Sequence, residues 1–181
     1  MTVRIVPSQS FCLIRHGETT ANADEIIAGV TDVPLTDVGR AQARALADFP
    51  WPEHIVLHAS PMSRAQQTAQ LAFPDRPYQL HEGLRERNWG VFEGRSLCEQ
   101  PAREDTPDQG ESWPDMIERV RRTIIAICAG PQGVLPVLVC HSGVIRAVRV
   151  LWSTGNVGVR APNAVPILFE KSDTEMTEKP L

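Results

Sequence analysis

The chain has 181 residues, 42% hydrophobic and 22% charged, the makeup of a single globular domain over 1–181 with a core that needs no metal or disulfide staple. A net charge of −4 at pH 7 gives no reason to expect nucleic acid or an acidic membrane as partner. No signal pattern or membrane-length apolar run appears, and the four cysteines lack C-x-x-C spacing, so the expectation is a reduced, cytoplasmic protein.

Taken in order, Ser10–Ile14 is a short apolar run that predicts a buried strand, ended by Arg15-His16-Gly17. Thr19 and Thr20 offer helix N-cap chemistry just beyond it. Residues 23–34 have no period and include Gly29 and Pro34, so they read as a surface loop. Thr36 caps a helix that Pro50 stops, and Ile55–His58 is a second buried strand. Ser60-Pro61 starts a helix to Ala72 with Ser60 as cap, placing Arg64 in the first turn. Tyr78–Leu80 is a weaker strand, and 95–111 a polar, partly helical excursion.

Ser112-Trp113-Pro114-Asp115 has the spacing of a capping box, and Ile117, Val120, Ile124, Ile127 and Cys128 then share one helix face. Asp115–Arg119 and Glu118–Arg122 are favourable i,i+4 pairs. Val134–Cys140 is nearly all apolar, as a central parallel strand is, and His141-Ser142-Gly143 leads into a buried helix to Trp152. Val165–Glu170 is a last strand, and the tail from about 171 is polar and expected to fray. A Cys12–Cys140 disulfide would require neighbouring strands; free buried thiols are the main expectation. Strands alternating with helices predict an α/β fold with a mainly parallel sheet.

That order brings Arg15, His16, Arg64 and His141 to the carboxyl ends of strands, where open α/β sheets bind ligands. Arginine meets a phosphoryl group with forked donors, and a neutral imidazole is a competent nucleophile toward phosphorus. Glu86, in Leu84-Arg85-Glu86-Arg87-Asn88-Trp89-Gly90, is the best candidate to protonate a leaving oxygen. His54, His58 and His81 have no partner motif and read as structural. No cluster has metal-ligand spacing, so no metal or other cofactor is expected.

Four blocks, in order, resemble the histidine phosphatase (phosphoglycerate mutase-like) superfamily. They are Arg15-His16-Gly17-Glu18-Thr19-Thr20-Ala21-Asn22; Ser60-Pro61-Met62-Ser63-Arg64-Ala65-Gln66-Gln67-Thr68-Ala69; the Leu84–Gly94 block around Glu86; and Val139-Cys140-His141-Ser142-Gly143. The resemblance implies a three-layer sandwich with helices on both faces of the sheet. It also implies His16 as the phosphorylated histidine, Arg15, Asn22, Arg64 and His141 as phosphate-binding residues, and Glu86 as proton donor. The expected activity is a phosphatase acting on a small phosphorylated metabolite. Alternatives are a cofactor-dependent phosphoglycerate mutase, a protein phosphohistidine phosphatase and a non-catalytic phospho-binding regulator.

Family mutases typically grip the substrate carboxylate with paired arginines in a longer insert. Here 94–110 is short and holds only Arg95 and Arg103, which favours hydrolysis. Selectivity is expected from 23–34 and 94–112, with Arg87 or Arg95 as possible contacts to an acidic substrate and a solvated surface charge as the blander reading. Either a monomer or a homodimer is compatible with the sequence.

Overall fold

The computed structural model describes residues 5–173 and 175–181; residues 1–4 of the lead-in and Thr174 of the tail lie outside that description. Six strands form one sheet: β1 (Phe11–Arg15), β2 (Ile55–Ala59), β3 (Tyr78–Leu80), β4 (Leu135–Cys140), β5 (Pro166–Lys171) and β6 (Met176–Pro180), in the order β3-β2-β4-β1-β5-β6. The pairs β1–β4, β4–β2 and β2–β3 are parallel, and β5 and β6 complete the sheet antiparallel.

Alternation along the central strands sends side chains to two separate cores. Phe11, Leu13, Leu138 and Cys140 pack with the helices α4 (Trp113–Cys128) and α5 (Ser142–Trp152) on one face. Cys12, Ile14, Val137 and Val139 face the other side, with Ala65, Ala69 and Ala72 of α3 (Ser63–Ala72) and Leu46 next to α2 (Asp37–Ala45). A fifth, short helix α1 (Thr20–Ala23) follows β1. The result is the expected three-layer α/β sandwich. It also settles the cysteine alternative: β1 and β4 are neighbours, but Cys12 and Cys140 point to opposite faces and both are free. Among the described residues, no helix is long and apolar enough to cross a membrane.

Local chemistry accounts for the element ends. Thr36 accepts from the Gly39 N–H (2.9 Å) and Ser112 from the Asp115 N–H (3.1 Å), as predicted caps should. α3, by contrast, begins at Ser63 with Met62 as its uncapped N-cap, two residues later than Ser60-Pro61 suggests. The Glu118–Arg122 pair forms at 2.6 Å, whereas Arg119 turns away from Asp115 to Glu111 (2.5 Å).

The tail corrects the sequence reading. Instead of fraying from 171, Met176–Pro180 pairs with β5, buries Met176 in the α4–α5 core, and places Glu178 against Arg149 at 2.7 Å. One apolar anchor and one shielded ion pair hold an otherwise polar strand, a combination too sparse to show as periodicity.

Candidate active site

β1 ends at Arg15, and the chain turns through His16-Gly17 into α1. The His16 N–H donates to the Cys140 carbonyl (3.0 Å), continuing the β1–β4 ladder by one residue and pinning the ring's backbone. The imidazole is 5% exposed, and its Nδ1 lies 2.7 Å from the Gly17 carbonyl. A carbonyl only accepts, so Nδ1 carries the proton and Nε2 holds the free lone pair of the neutral ring. Burial above all, then the charges of Arg64 and Arg15, push His16 well below the usual histidine value, which keeps it neutral.

His141 follows β4 and is fully buried, its ring centroid 5.2 Å from that of His16. Its Nε2 meets Ser60 Oγ at 2.8 Å, and Nδ1 has no partner among the described residues. Burial and Arg64 depress it in the same way. The partnership with Ser60 explains the late start of α3: the hydroxyl expected to cap the helix serves His141 and the Met62 N–H instead.

Arg64, in the first turn of α3, is 1% exposed and donates to the carbonyls of Thr31 (2.9 Å) and Gly29 (2.6 Å). Arg15 donates to Ala161 O (2.8 Å), while its buried Nε has no partner among the described residues. Burial, then Arg160, lowers its guanidinium to about 10, still charged at neutral pH. Asn22 accepts from the Thr19 N–H (3.2 Å) in a capping box and from Asn163 Nδ2 (3.2 Å).

Glu86 lies in the segment after β3. Its carboxylate accepts from the Arg87 N–H (2.8 Å) and from the Gly143 N–H (2.9 Å) in the first turn of α5. A Cβ at 143 would overlap Glu86 Oε1 and press on the end of Met116, so any larger residue must displace the Glu86 carboxylate. Arg119 supports the segment from behind through the carbonyls of Gly83 (2.9 Å), Arg85 (2.8 Å) and Glu86 (3.2 Å).

These elements enclose a cavity of about 150 Å³ whose wall includes His16, Asn22, Arg64 and Glu86. Sequence comparison now decides the family: the model of the histidine phosphatase superfamily (branch 1) matches residues 11–162. The chain belongs to that superfamily. An uncharacterized phosphatase PhoE of Bacillus subtilis is 27% identical over 162 residues, 85% of this chain and 82% of that protein. A probable phosphoglycerate mutase GpmB of Cronobacter sakazakii is 34% identical over 147 residues, 71% of this chain and 67% of that protein. Among solved structures, a putative alpha-ribazole-5′-P phosphatase of Escherichia coli superposes with a TM-score of 0.83 at 25% identity, covering 96% of this chain and 95% of that one.

In this member of the superfamily, the six residues read from the sequence do not all stand in the same layer. His16, Asn22, Arg64 and Glu86 line the cavity, whereas Arg15 and His141 are buried behind its wall, 4% and 0% exposed. Both loops expected to govern selectivity reach it, through Ile26, Ile27 and Ala28 from one and Leu97, Gln100 and Arg103 from the other.

The two cations named for an acidic substrate divide: burial of Arg87 corrects both readings of it, whereas half-exposed Arg95 fits the surface-charge reading. Arg87 is fully buried and spent on the carbonyls of Glu111 (2.9 Å), Arg103 (2.9 Å) and Asp105 (2.7 Å). Arg95 packs over Phe92 near Glu99 and does not line the cavity. Arg103, Arg146 and Arg160 do line it, and none has a hydrogen bond or ion pair from its side chain among the described residues. Arg103 lies against Trp113 (4.9 Å) and Trp89 (6.0 Å), and burial and Arg103 lower Arg146. Buried Ser142, whose hydroxyl has no partner among the described residues, lies on the same wall. Arg146, one turn into α5 beyond His141, had a helical spacing that could have flagged it; Arg160 and Asn163 lie in a loop with no such signal. No group of three or more His, Cys, Asp and Glu able to hold a metal ion occurs among the described residues.

Proposed function

We propose that this chain is a phosphatase that hydrolyses phosphate monoesters of small metabolites through a phosphohistidine on His16, with Glu86 as proton donor. The observation that carries the reading is the state of His16: a neutral ring with Nδ1–H tied to the Gly17 carbonyl and the Nε2 lone pair free, at the wall of a cavity that also holds Arg64 and Glu86. Nε2 attacks phosphorus while the ester P–O bond breaks, and Glu86 gives its proton to the departing oxygen. The Glu86 carboxylate then takes a proton from water, whose oxygen attacks the phosphohistidine. The N–P bond breaks and inorganic phosphate leaves. Arg64 at the wall, with the charges of Arg15 and His141's hydrogen-bonding ring behind it, favours the negative charge on the equatorial oxygens.

A cavity of this size suits a small ester, and its three arginines, which make no side-chain hydrogen bond or ion pair among the described residues, favour an alcohol that is itself anionic. The same arginines are the observation behind the second reading, a phosphoglycerate mutase that returns the phosphoryl group to a bound glycerate. The short insert weighed against it from sequence, but Arg103 gains company from α5 and from the 153–165 loop rather than from its own segment. Relatives carry both names, phosphatase and mutase. The proposed setting is cytoplasmic, with a free metabolite as partner and Cys12, Cys128 and Cys140 as buried thiols.

The deciding experiment supplies 3-phosphoglycerate, with and without 2,3-bisphosphoglycerate, beside a panel of other phosphate esters, and follows free phosphate and isomer together. Phosphate release without 2-phosphoglycerate is expected. Isomerisation with little phosphate would establish the mutase, and neither product from any ester would remove the catalytic reading.

A further inference from the structure

The stretch 28–31 has no regular structure, yet it directs three carbonyls at one guanidinium: Arg64 donates to Thr31 O (2.9 Å), Gly29 O (2.6 Å) and Ala28 O (3.3 Å). Loop carbonyls converge in this way only if something holds the peptide groups in that orientation, because an unpinned loop samples many. A single carboxylate gathers the loop's donors. Glu93 accepts from the N–H groups of Gly29 (3.0 Å), Val30 (3.1 Å) and Thr31 (3.2 Å) and from the Thr31 hydroxyl (2.7 Å). It also accepts from the Trp89 N–H (3.0 Å), in the same segment as Glu86. The packing is close enough that a Cβ on Gly29 would overlap both the Arg87 carbonyl and the Glu93 carboxylate.

We propose that Glu93 is a positioning residue for the phosphate site: its carboxylate orients 28–31 so that three carbonyls hold the Arg64 guanidinium at the cavity, and ties that loop to the segment bearing Glu86. The inference takes the phosphate site proposed above as given. It assigns Glu93 no contact with substrate; its effect passes through Arg64. Only a carboxylate serves, since two oxygens accept from five donors, whereas a glutamine would turn an NH₂ toward backbone N–H groups and leave donors unpaired.

The test is a double-mutant cycle between Glu93→Gln and Arg64→Ala, read as kcat/KM on p-nitrophenyl phosphate and as competition by inorganic phosphate, with melting curves alongside. Glu93→Gln is expected to weaken phosphate about tenfold in the parent and by less than about twofold once Arg64 is gone, with Glu93→Asp recovering part of the loss. Equal losses in both backgrounds, or none in the parent, would overturn the proposal and leave Glu93 as a loop staple. If Glu93→Gln does not fold, Thr31→Val removes one of the five donors; a loss of about twofold that vanishes without Arg64 supports the proposal, and one that persists overturns it. A parent protein that neither binds phosphate nor turns over ester would instead remove the phosphate-site reading, and this inference with it.

Discussion

His16 and His141 are neutral at pH 7 because of what surrounds their rings, burial first and the Arg64 charge second. That has a consequence for stability whose sign is fixed. In the unfolded chain a histidine takes up its proton near pH 6.5, while the folded rings resist it until well below. The unfolded state therefore binds more protons in the acid range, and stability present above about pH 6.5 is lost as pH falls toward the folded values. His58, held at about 4 by burial and by His81, adds to the same slope down to that value. Each such histidine contributes up to about 1.4 kcal/mol per pH unit. Urea titrations at about pH 7, 6 and 5 should show the loss, and His58→Gln should make the profile shallower; a flat parent profile would mean that the folded rings accept protons after all. Glu86 allows a kinetic prediction. Glu86→Gln keeps an oxygen for the Gly143 N–H but has no proton to give. Alkyl phosphates should slow by about a hundredfold or more, and p-nitrophenyl phosphate, whose leaving group needs little help, by less than about tenfold. Equal slowing would move the donor role elsewhere.

At the scale of elements, the first turn of α5 does two jobs: it sets His141 against Ser60, and it presents the Gly143 N–H to Glu86. Gly143→Ala separates helix from site. Alanine favours the helix by roughly 1 kcal/mol, so melting should hold or rise slightly unless crowding at Met116 offsets it. The added Cβ displaces the Glu86 carboxylate, and kcat on alkyl phosphates should fall by about tenfold or more. An unchanged kcat would show that Glu86 does not act from this position. The strand ends that carry Arg15, His16 and His141 were legible because each follows an apolar run that the sheet buries on both faces. Ser60 was misread because a local rule, the Ser-Pro helix start, yields here to a partner 81 residues away. Arg103 and Arg160 escaped for the same kind of reason: separate segments bring them to one wall with Arg146, and nothing in their own neighbourhoods marks it, whereas Arg146 had only its helical spacing from His141. The four blocks marked most of the site through their resemblance to a family pattern, although the bonds their residues make are largely long-range: Arg15 to Ala161, Arg64 to Gly29, Glu86 to Gly143 and His141 to Ser60.

For the molecule as a whole, the C-terminal strand matters to a cavity it does not touch. β6 covers the edge of β5 and delivers Glu178 to Arg149, with contacts of 2.8 and 2.7 Å. Arg149, its side chain 8% exposed, also donates to the carbonyls of Val159 (2.5 Å) and Val157 (3.4 Å). That loop continues to Arg160 on the cavity wall and to Asn163, whose amide donates to the His16 carbonyl (2.8 Å) and to Asn22. An ion pair at the sheet edge thus anchors the segment that closes one side of the site. Glu178→Gln keeps the shape but leaves a shielded guanidinium without its counter-charge, which should cost about 1–3 kcal/mol and lower Tm by several degrees. If the anchor reaches the cavity, KM should rise about twofold to fivefold with little change in kcat, because Arg160 and Asn163 lose their register while His16 and Glu86 keep theirs. Raised salt separates this from a simple loss of fold: it should narrow the KM difference, since the wall's cations steer an anionic substrate less at high ionic strength. A fall in Tm with KM unchanged would confine β6 to stability, and an unchanged Tm would show that the Arg149–Glu178 pair holds nothing in place.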